Sequence, residues 1–376
     1  MQRASRSFYG VVIGLVALSL AAGACSDNKK SKAKSTAGGK GGTIAILLPE
    51  TKTARYEAAD RPLMEAKIRE LCADCKILYS NADQDAAKQQ QQAEAALTNG
   101  AKVMILDPVD SAAAANIVSK AKAKQVPVVS YDRLVKNADV DYYVSFDNVK
   151  VGKLQGQALA DKLKADGKGS GTIVMINGSP TDNNATLFAQ GYNAVLKPHF
   201  DDGSYTKVGE QAVPAWNNDT AQTIFTQAFT AHTNINTVVA ANDGLGNSVI
   251  NVLKNNKINA KTVPVTGQDA TLQGMQNVLA NYQCGSVYKP IFLEAQAAAA
   301  LAIYLRASQT PPAALLNGTT KDTGATPNVD VPSVLLTPVW VTAKNMASTV
   351  IADKFVDKAQ LCAGAFAASC SSAGIS

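Results

Sequence analysis

Histidine is nearly missing from this chain. Its 376 residues include two, His199 and His232, far apart and with no cysteine or aspartate at metal-ligand spacing. Zinc sites and histidine-based acid–base catalysis are therefore disfavoured. No G-x-x-x-x-G-K-[S/T] phosphate loop and no G-x-S-x-G turn occurs, which removes the nucleotide-hydrolysing and esterase readings. Tryptophan is as scarce, at two residues, so the position of each carries weight. An excess of one charge is lacking too. The formal net charge is +6, or about +4 once Arg3 and Arg6 are set aside, and it is too dispersed to argue for nucleic acid.

The leading apolar run decides the compartment. VVIGLVALSLAAGA (11–24) follows the basic Arg3 and Arg6 and closes on small residues before Cys25. That is the layout of a secretion signal, too short with its flanks for a comfortable membrane span. Its end, Ala22-Gly23-Ala24-Cys25, resembles a bacterial lipobox, in which the cysteine is diacylated after cleavage; Ala22 stands where leucine is usual. Residues 1–24 are thus expected to be removed as a signal peptide, and Cys25 to be lipidated. SDNKKSKAKSTAGGKGG (26–42) is polar and rich in Gly, Ser and Lys, and reads as a flexible tether. A lipidated cysteine on a tether holds a globular domain outside the cell membrane, anchored to it.

With Cys25 set apart, Cys72, Cys75, Cys284, Cys362 and Cys370 remain, an odd number. LCADC (71–75) lacks the filling of a redox motif and ends a helical pattern, so Cys72 and Cys75 read as a structural clip. Cys362 and Cys370 flank AGAFAAS and are expected to pair, although Cys284 is able to replace either partner.

Apolar residues make up 46% of the chain and charged ones 18%, a globular balance. The length exceeds one ordinary core and predicts two lobes. From residue 43 one theme repeats: an apolar run, a polar tip, then an amphipathic helix. The runs are TIAILLPE (43–50), KILYSNAD (76–83), KVMILDPVD (102–110), VPVVSYDR (126–133), YYVSFDN (142–148), TIVMINGSP (172–180), TVVAANDG (237–244) and VPVTGQDA (263–270). Short apolar runs bounded by turn residues mark strands buried on both faces of a parallel sheet. Between residues 85 and 100, Ala86, Ala93, Ala96 and Leu97 share a helix face, Gly100 stops the helix, and Gln89–Gln92 are expected on its wet side. Asp147 or Asn148 caps the next helix, with Val151, Leu154, Ala158 and Leu163 inward. The pattern predicts an α/β chain of two doubly wound parallel sheets.

Open α/β sheets bind ligands beyond the carboxyl ends of their strands. Those tips carry Arg55, Asp132, Arg133, Asn183, Asn184, Asn242 and Asp269. Each is a charged or amide side chain, and together they supply donors and acceptors. A polyhydroxylated neutral molecule needs both at once. Its flat C–H face also wants an aromatic platform, for which Trp216 and Tyr56 are the candidates. Taken singly, Asp132-Arg133 also fits a structural ion pair, and an asparagine at such a tip is ordinarily a helix cap. The coincidence at many strand ends favours a site.

Several longer stretches carry a resemblance: SYDRLVKNADVDYYVSFDNVKVGKLQGQAL (130–159), NGSPTDNNATLF (177–188), VVAANDG (238–244), VTGQDA (265–270), VYKPI (287–291) and VLLTPVWV (334–341). Through them residues 43 to about 355 resemble the periplasmic sugar-binding proteins of ATP-driven transporters, of type I fold, most closely the D-xylose-binding subfamily. The resemblance implies three crossings between lobes, near Asp147, just before Lys289 and near Thr337. The N-terminal lobe would then be 43–147 plus 289–336, and the C-terminal lobe 148–288 plus 337–376. It implies that Arg55, Asp132, Arg133, Asn184, Trp216, Asn242, Asp269 and Lys289 line the sugar cleft, with Asn183 a close neighbour. It implies a monosaccharide ligand, D-xylose first, with glucose, galactose and arabinose as alternatives. It also implies an ABC permease and ATPase as partners, a monomer, and no cofactor or metal. The tether and the cysteine-bearing tail depart from the family pattern. Tyr56 does too, where the resemblance leads one to expect tryptophan.

Two other functions compete. Asp132 and Asp269 imitate a glycosidase pair, but two arginines and a lysine nearby would keep both ionised. A receptor of the same fold would present its closed form to a membrane sensor instead of a permease.

Overall fold

The structure is a computed structural model and describes residues 41–167, 170–322 and 328–375. Cys25, the signal segment and most of the tether lie outside the described residues.

Apolar runs become strands where both faces are covered. β1 (Gly42–Leu48) runs parallel between β2 (Cys75–Asn81) and β3 (Ala101–Leu106), with Ile46 opposite Tyr79 on one side and Ile105 on the other. β4 (Val128–Tyr131) and β5 (Tyr142–Phe146) continue the sheet in the same sense. Helices α1 (Arg61–Leu71), α2 (Ala86–Thr98) and α3 (Ala115–Ala123) connect these strands. Gly100, at φ +80°, takes the left-handed turn that ends α2.

The second sheet is centred on β6 (Gly171–Asn177), between β7 (Tyr205–Ala212) and β8 (Thr237–Ala240). α4 (Asn148–Ala165), α5 (Asn183–Asp201), α6 (Asn218–Ala231), α7 (Asp243–Asn255) and α8 (Leu272–Leu279) surround it. The run 263–270 departs from expectation. It forms single bridges, Val265 to Val238 and to Gln283, and Gln268 to Val287, instead of a full strand. Pro264 accepts from Val238 but has no N–H to return.

The chain passes between the sheets three times. Asp147 caps α4 through Lys150 N at 2.9 Å. β9 (Ser286–Tyr288) hands over through Lys289 to α9 (Ile291–Leu305), whose Ala295, Ala298, Ala299 and Ala302 lie in the core of the first lobe. β10 (Gly318–Asp322) and β11 (Val329–Leu336) then join the first sheet beside β5, with β10 antiparallel, before β12 (Val339–Val341) returns to pair with β9. The first sheet thus has the order β10-β11-β5-β4-β3-β1-β2.

Two helix faces differ from the sequence reading. Gln89 is buried because its amide fills a polar need, donating to Asp107 O at 2.7 Å and accepting from Val109 N at 2.9 Å. In α4 the inward stripe is Val151, Gly152, Gln155, Leu159 and Leu163, while Leu154 and Ala158 sit on its flank. The phase is set by α5. A Cβ at Gly152 would lie 2.0 Å from Phe188 O, and one at Gly191 2.2 Å from Val149 O, so the two backbones nearly touch. In the tail, Cys362 bonds to Cys370, and Leu361, Cys370 and Ile375 pack beside Met275 and Val350. Cys72 bonds to Cys75, and Cys284 is free and half-buried.

Candidate functional site

The carboxyl ends of the two sheets face one another. Asp132 and Arg133 follow β4, and Asp132 takes φ 51°, a left-handed geometry that aspartate tolerates better than most residues. Ser130 Oγ donates to Arg133 O at 2.8 Å and accepts from Val135 N at 2.9 Å. Tyr143 and Ser145 hydroxyls donate to Asp132 O at 3.0 and 2.7 Å. All four bonds come from the turn's own lobe.

Each side chain of that turn has a separate network. Asp132 Oδ1 lies 3.0 Å from Arg55 Nη1 and 3.9 Å from Lys289 Nζ, and Oδ2 accepts from Tyr56 OH at 3.1 Å. Arg133 donates to Pro108 O and to Tyr56 OH, both at 3.2 Å, and lies 3.5 Å from Glu50 and 3.7 Å from Asp107. Its Nε lies 3.0 Å from Asp182 Oδ2 in the other lobe. Arg55 donates twice to Asp60, at 2.9 and 2.6 Å, and once each to Asp132 and Glu294. Four of its five N–H bonds are thereby used. Arg55 shapes the site more than it grips.

The second lobe supplies the opposite wall. Trp216 follows a short left-handed kink, with Ala215 at φ 56° and Trp216 at φ 51°, and its Nε1 donates to Asp182 Oδ2 at 3.0 Å. Its ring covers Gly178, where a Cβ would come within 2.0 Å of it. Asn184 Nδ2 reaches across to Asp132 O at 3.1 Å, while its Oδ1 accepts from Asn148 Nδ2 at 2.9 Å. Asn242 caps α7 through Leu245 N at 3.0 Å. Asp269, at φ 89°, lies 3.4 Å from Lys289, and its Oδ1 makes no hydrogen bond within the described chain although it is buried.

Nine of the ten residues singled out in the sequence line one cavity: Arg55, Tyr56, Asp132, Arg133, Asn184, Trp216, Asn242, Asp269 and Lys289. Asn183 stands beside it, its N–H donated to Ser111 Oγ at 3.1 Å. Thr53, Asp182, Phe188 and Gln268 line it as well, and the sequence reading missed them. A larger groove, lined by Leu154, Cys284 and Trp340, opens away from the strand tips on the second lobe. The free thiol there is pushed by burial up to about 12 and is a poor nucleophile.

The charges are unequal. Arg55, Arg133 and Lys289 face seven buried carboxyls, those of Glu50, Asp60, Asp107, Asp132, Asp182, Asp269 and Glu294. Burial pushes the Asp107, Asp182 and Glu294 carboxyls up, against the pull of Arg133 on the first two and of Arg55 on the third. Burial acts on Asp132 in the same sense, but Arg55, then Lys289 and Arg133, outweigh it and hold this carboxyl down at about 2. A surplus of acceptors around fixed cations suits hydroxyl groups and opposes an anionic ligand. Among the described residues no group of side chains is arranged to hold a metal ion.

The periplasmic binding protein domain matches residues 44–309. The chain belongs to the periplasmic binding protein family. This binding protein is 37% identical over 319 residues to the D-xylose-binding periplasmic protein of Escherichia coli strain K12, covering 85% of this chain and 92% of that one. It is 34% identical to the D-xylose-binding periplasmic protein of Haemophilus influenzae, covering 84% and 90%. Among solved structures it is similar to an ABC transporter solute-binding protein from Clostridium phytofermentans with bound β-D-glucose. That match has a TM-score of 0.77 and 27% identity, and covers 85% of this chain and 99% of that one. The binding protein therefore sits with the sugar-binding members of the family, in the xylose subfamily, and is a carrier and not an enzyme.

Proposed function

We propose that this binding protein encloses a single aldopyranose, D-xylose before other sugars, by closing its lobes, and passes it to an ABC permease. The observation that carries the reading is the cleft walled by charged and amide groups from both lobes. Trp216 and Tyr56 are the aromatic surfaces for the C–H face. The xylose-binding relatives support the pentose, and the glucose-bound structure makes glucose the first competitor. In this reading Arg55, Asp132 and Arg133 act from the first lobe, Asn184, Trp216, Asn242 and Asp269 from the second, and Lys289 from a crossing. The protein works as a monomer, anchored outside the membrane through Cys25. A thermal-shift screen of the mature domain against pentoses, hexoses and nucleosides tests this. D-xylose should give the largest rise in Tm, and a nucleoside in first place would contradict the reading.

A further inference from the structure

Asp269 and Lys289 are backed by side chains outside the main core of the second lobe. Ala270 and Tyr288, their neighbours in the chain, are buried and line no part of the cleft. They belong to a separate small core with Met275, Leu279 and Val350, which Leu361, Cys370 and Ile375 of the C-terminal tail complete. The backbones are tied as well. Asp269 N donates to Val287 O at 2.9 Å, and Ala270 N donates to Ser286 Oγ at 3.0 Å. A shift of the small core therefore reaches both members of the pair.

The tail grips Tyr288 twice. Its OH donates to Asp353 Oδ2 at 2.9 Å, and Phe355 packs on its ring with centroids 5.0 Å apart. Beyond Phe355 lie two short helices, Lys358–Leu361 and Ala367–Ser372. Helices of four and six residues do not persist without tertiary support. The Cys362–Cys370 bond closes the segment between them and holds Cys370 in the small core. We propose that the disulfide-closed tail, residues 353–375, is a brace that positions Lys289 against Asp269 through Tyr288 and Ala270. Sugar affinity then depends on a bond outside the cleft. The inference rests on the sugar-binding reading above.

Calorimetry with D-xylose compares the full mature domain with Tyr288→Phe and with Cys362→Ala/Cys370→Ala, each alone and combined with Lys289→Met. Tyr288→Phe should weaken binding roughly 3- to 10-fold, the range for one hydrogen bond. Loss of the disulfide should weaken it roughly 5- to 50-fold, a part of what such a cross-link holds. In the Lys289→Met background both effects should fall below about twofold, because a brace acts only through the pair it positions. Tyr288→Phe removes one hydroxyl and keeps the ring, so it reports even where the cysteine variant folds poorly. A tail that merely stabilises the lobe would weaken binding equally with and without Lys289, and that result would overturn the brace. So would a parent that binds while either folded variant keeps its Kd; the function would then stand alone. Refusal of every monosaccharide by the parent would overturn the function, and the brace with it.

Discussion

Lys289 Nζ lies 3.4 Å from Asp269 Oδ1, and the same ammonium lies 3.9 Å from Asp132 of the other lobe. One buried cation at a crossing point therefore balances carboxylates from both sides of the cleft. Lys289→Met leaves those carboxylates facing one another with less compensation. It should weaken sugar binding by about 2–4 kcal/mol, the range for removing one partner of a buried charged pair. Isothermal calorimetry checks it, and an unchanged Kd would show that Lys289 only spaces the hinge.

Asp269→Ala acts from the second lobe alone. Asp269 Oδ1 is buried without a hydrogen bond, so it is ready to accept a ligand hydroxyl. Its loss should lower affinity by about 2–4 kcal/mol and leave the unliganded fold intact. Circular dichroism beside the titration separates the two effects. Unfolding without sugar would make Asp269 structural.

Gly178→Ala tests the aromatic platform without touching Trp216 chemically. The new Cβ would lie 2.0 Å from the ring, which is rigid, buried and tied to Asp182. The ring must move, and sugar affinity should fall at least tenfold. A crystal structure of the variant would show a displaced indole; an unmoved ring with full affinity would end the platform role.

The pH dependence of stability follows from Asp132. Its carboxyl is held at about 2 in the folded chain, below its ordinary 3.8. A depressed carboxyl stabilises fully above its ordinary value, and the contribution fades as pH falls from about 4 to about 2. The amount at neutral pH is roughly 2 kcal/mol. Thermal melts at pH 5 and pH 2.5 should show a smaller acid loss for Asp132→Asn than for the parent. Equal losses would refute the assignment.

Much of the site was legible because a strand buried on both faces reads as an apolar run, and its last polar residue falls at the cleft. Asp132, Arg133 and Asp269 were visible in that way. Glu50 ends the run TIAILLPE and Asp107 closes the apolar part of KVMILDPVD, but both pass equally for caps. Asp182 sat inside SPTDNN, hidden by the asparagines beside it. Glu294 carries no such signal. It lies within α9, and its contact with Arg55 spans 239 positions, so only the third dimension pairs them. β7 escaped because it is an edge strand with mostly exposed side chains and no apolar run. Gln89 escaped because a buried amide that bonds backbone on both sides looks, in sequence, like a solvated one.

The central claim, one neutral pyranose held in the cleft between the lobes, is tested most directly by calorimetry of the mature domain with D-xylose, D-glucose, a disaccharide and a nucleoside. One site per chain, with D-xylose bound tightest, is the predicted result. Tighter binding of the disaccharide or the nucleoside than of any monosaccharide would contradict it.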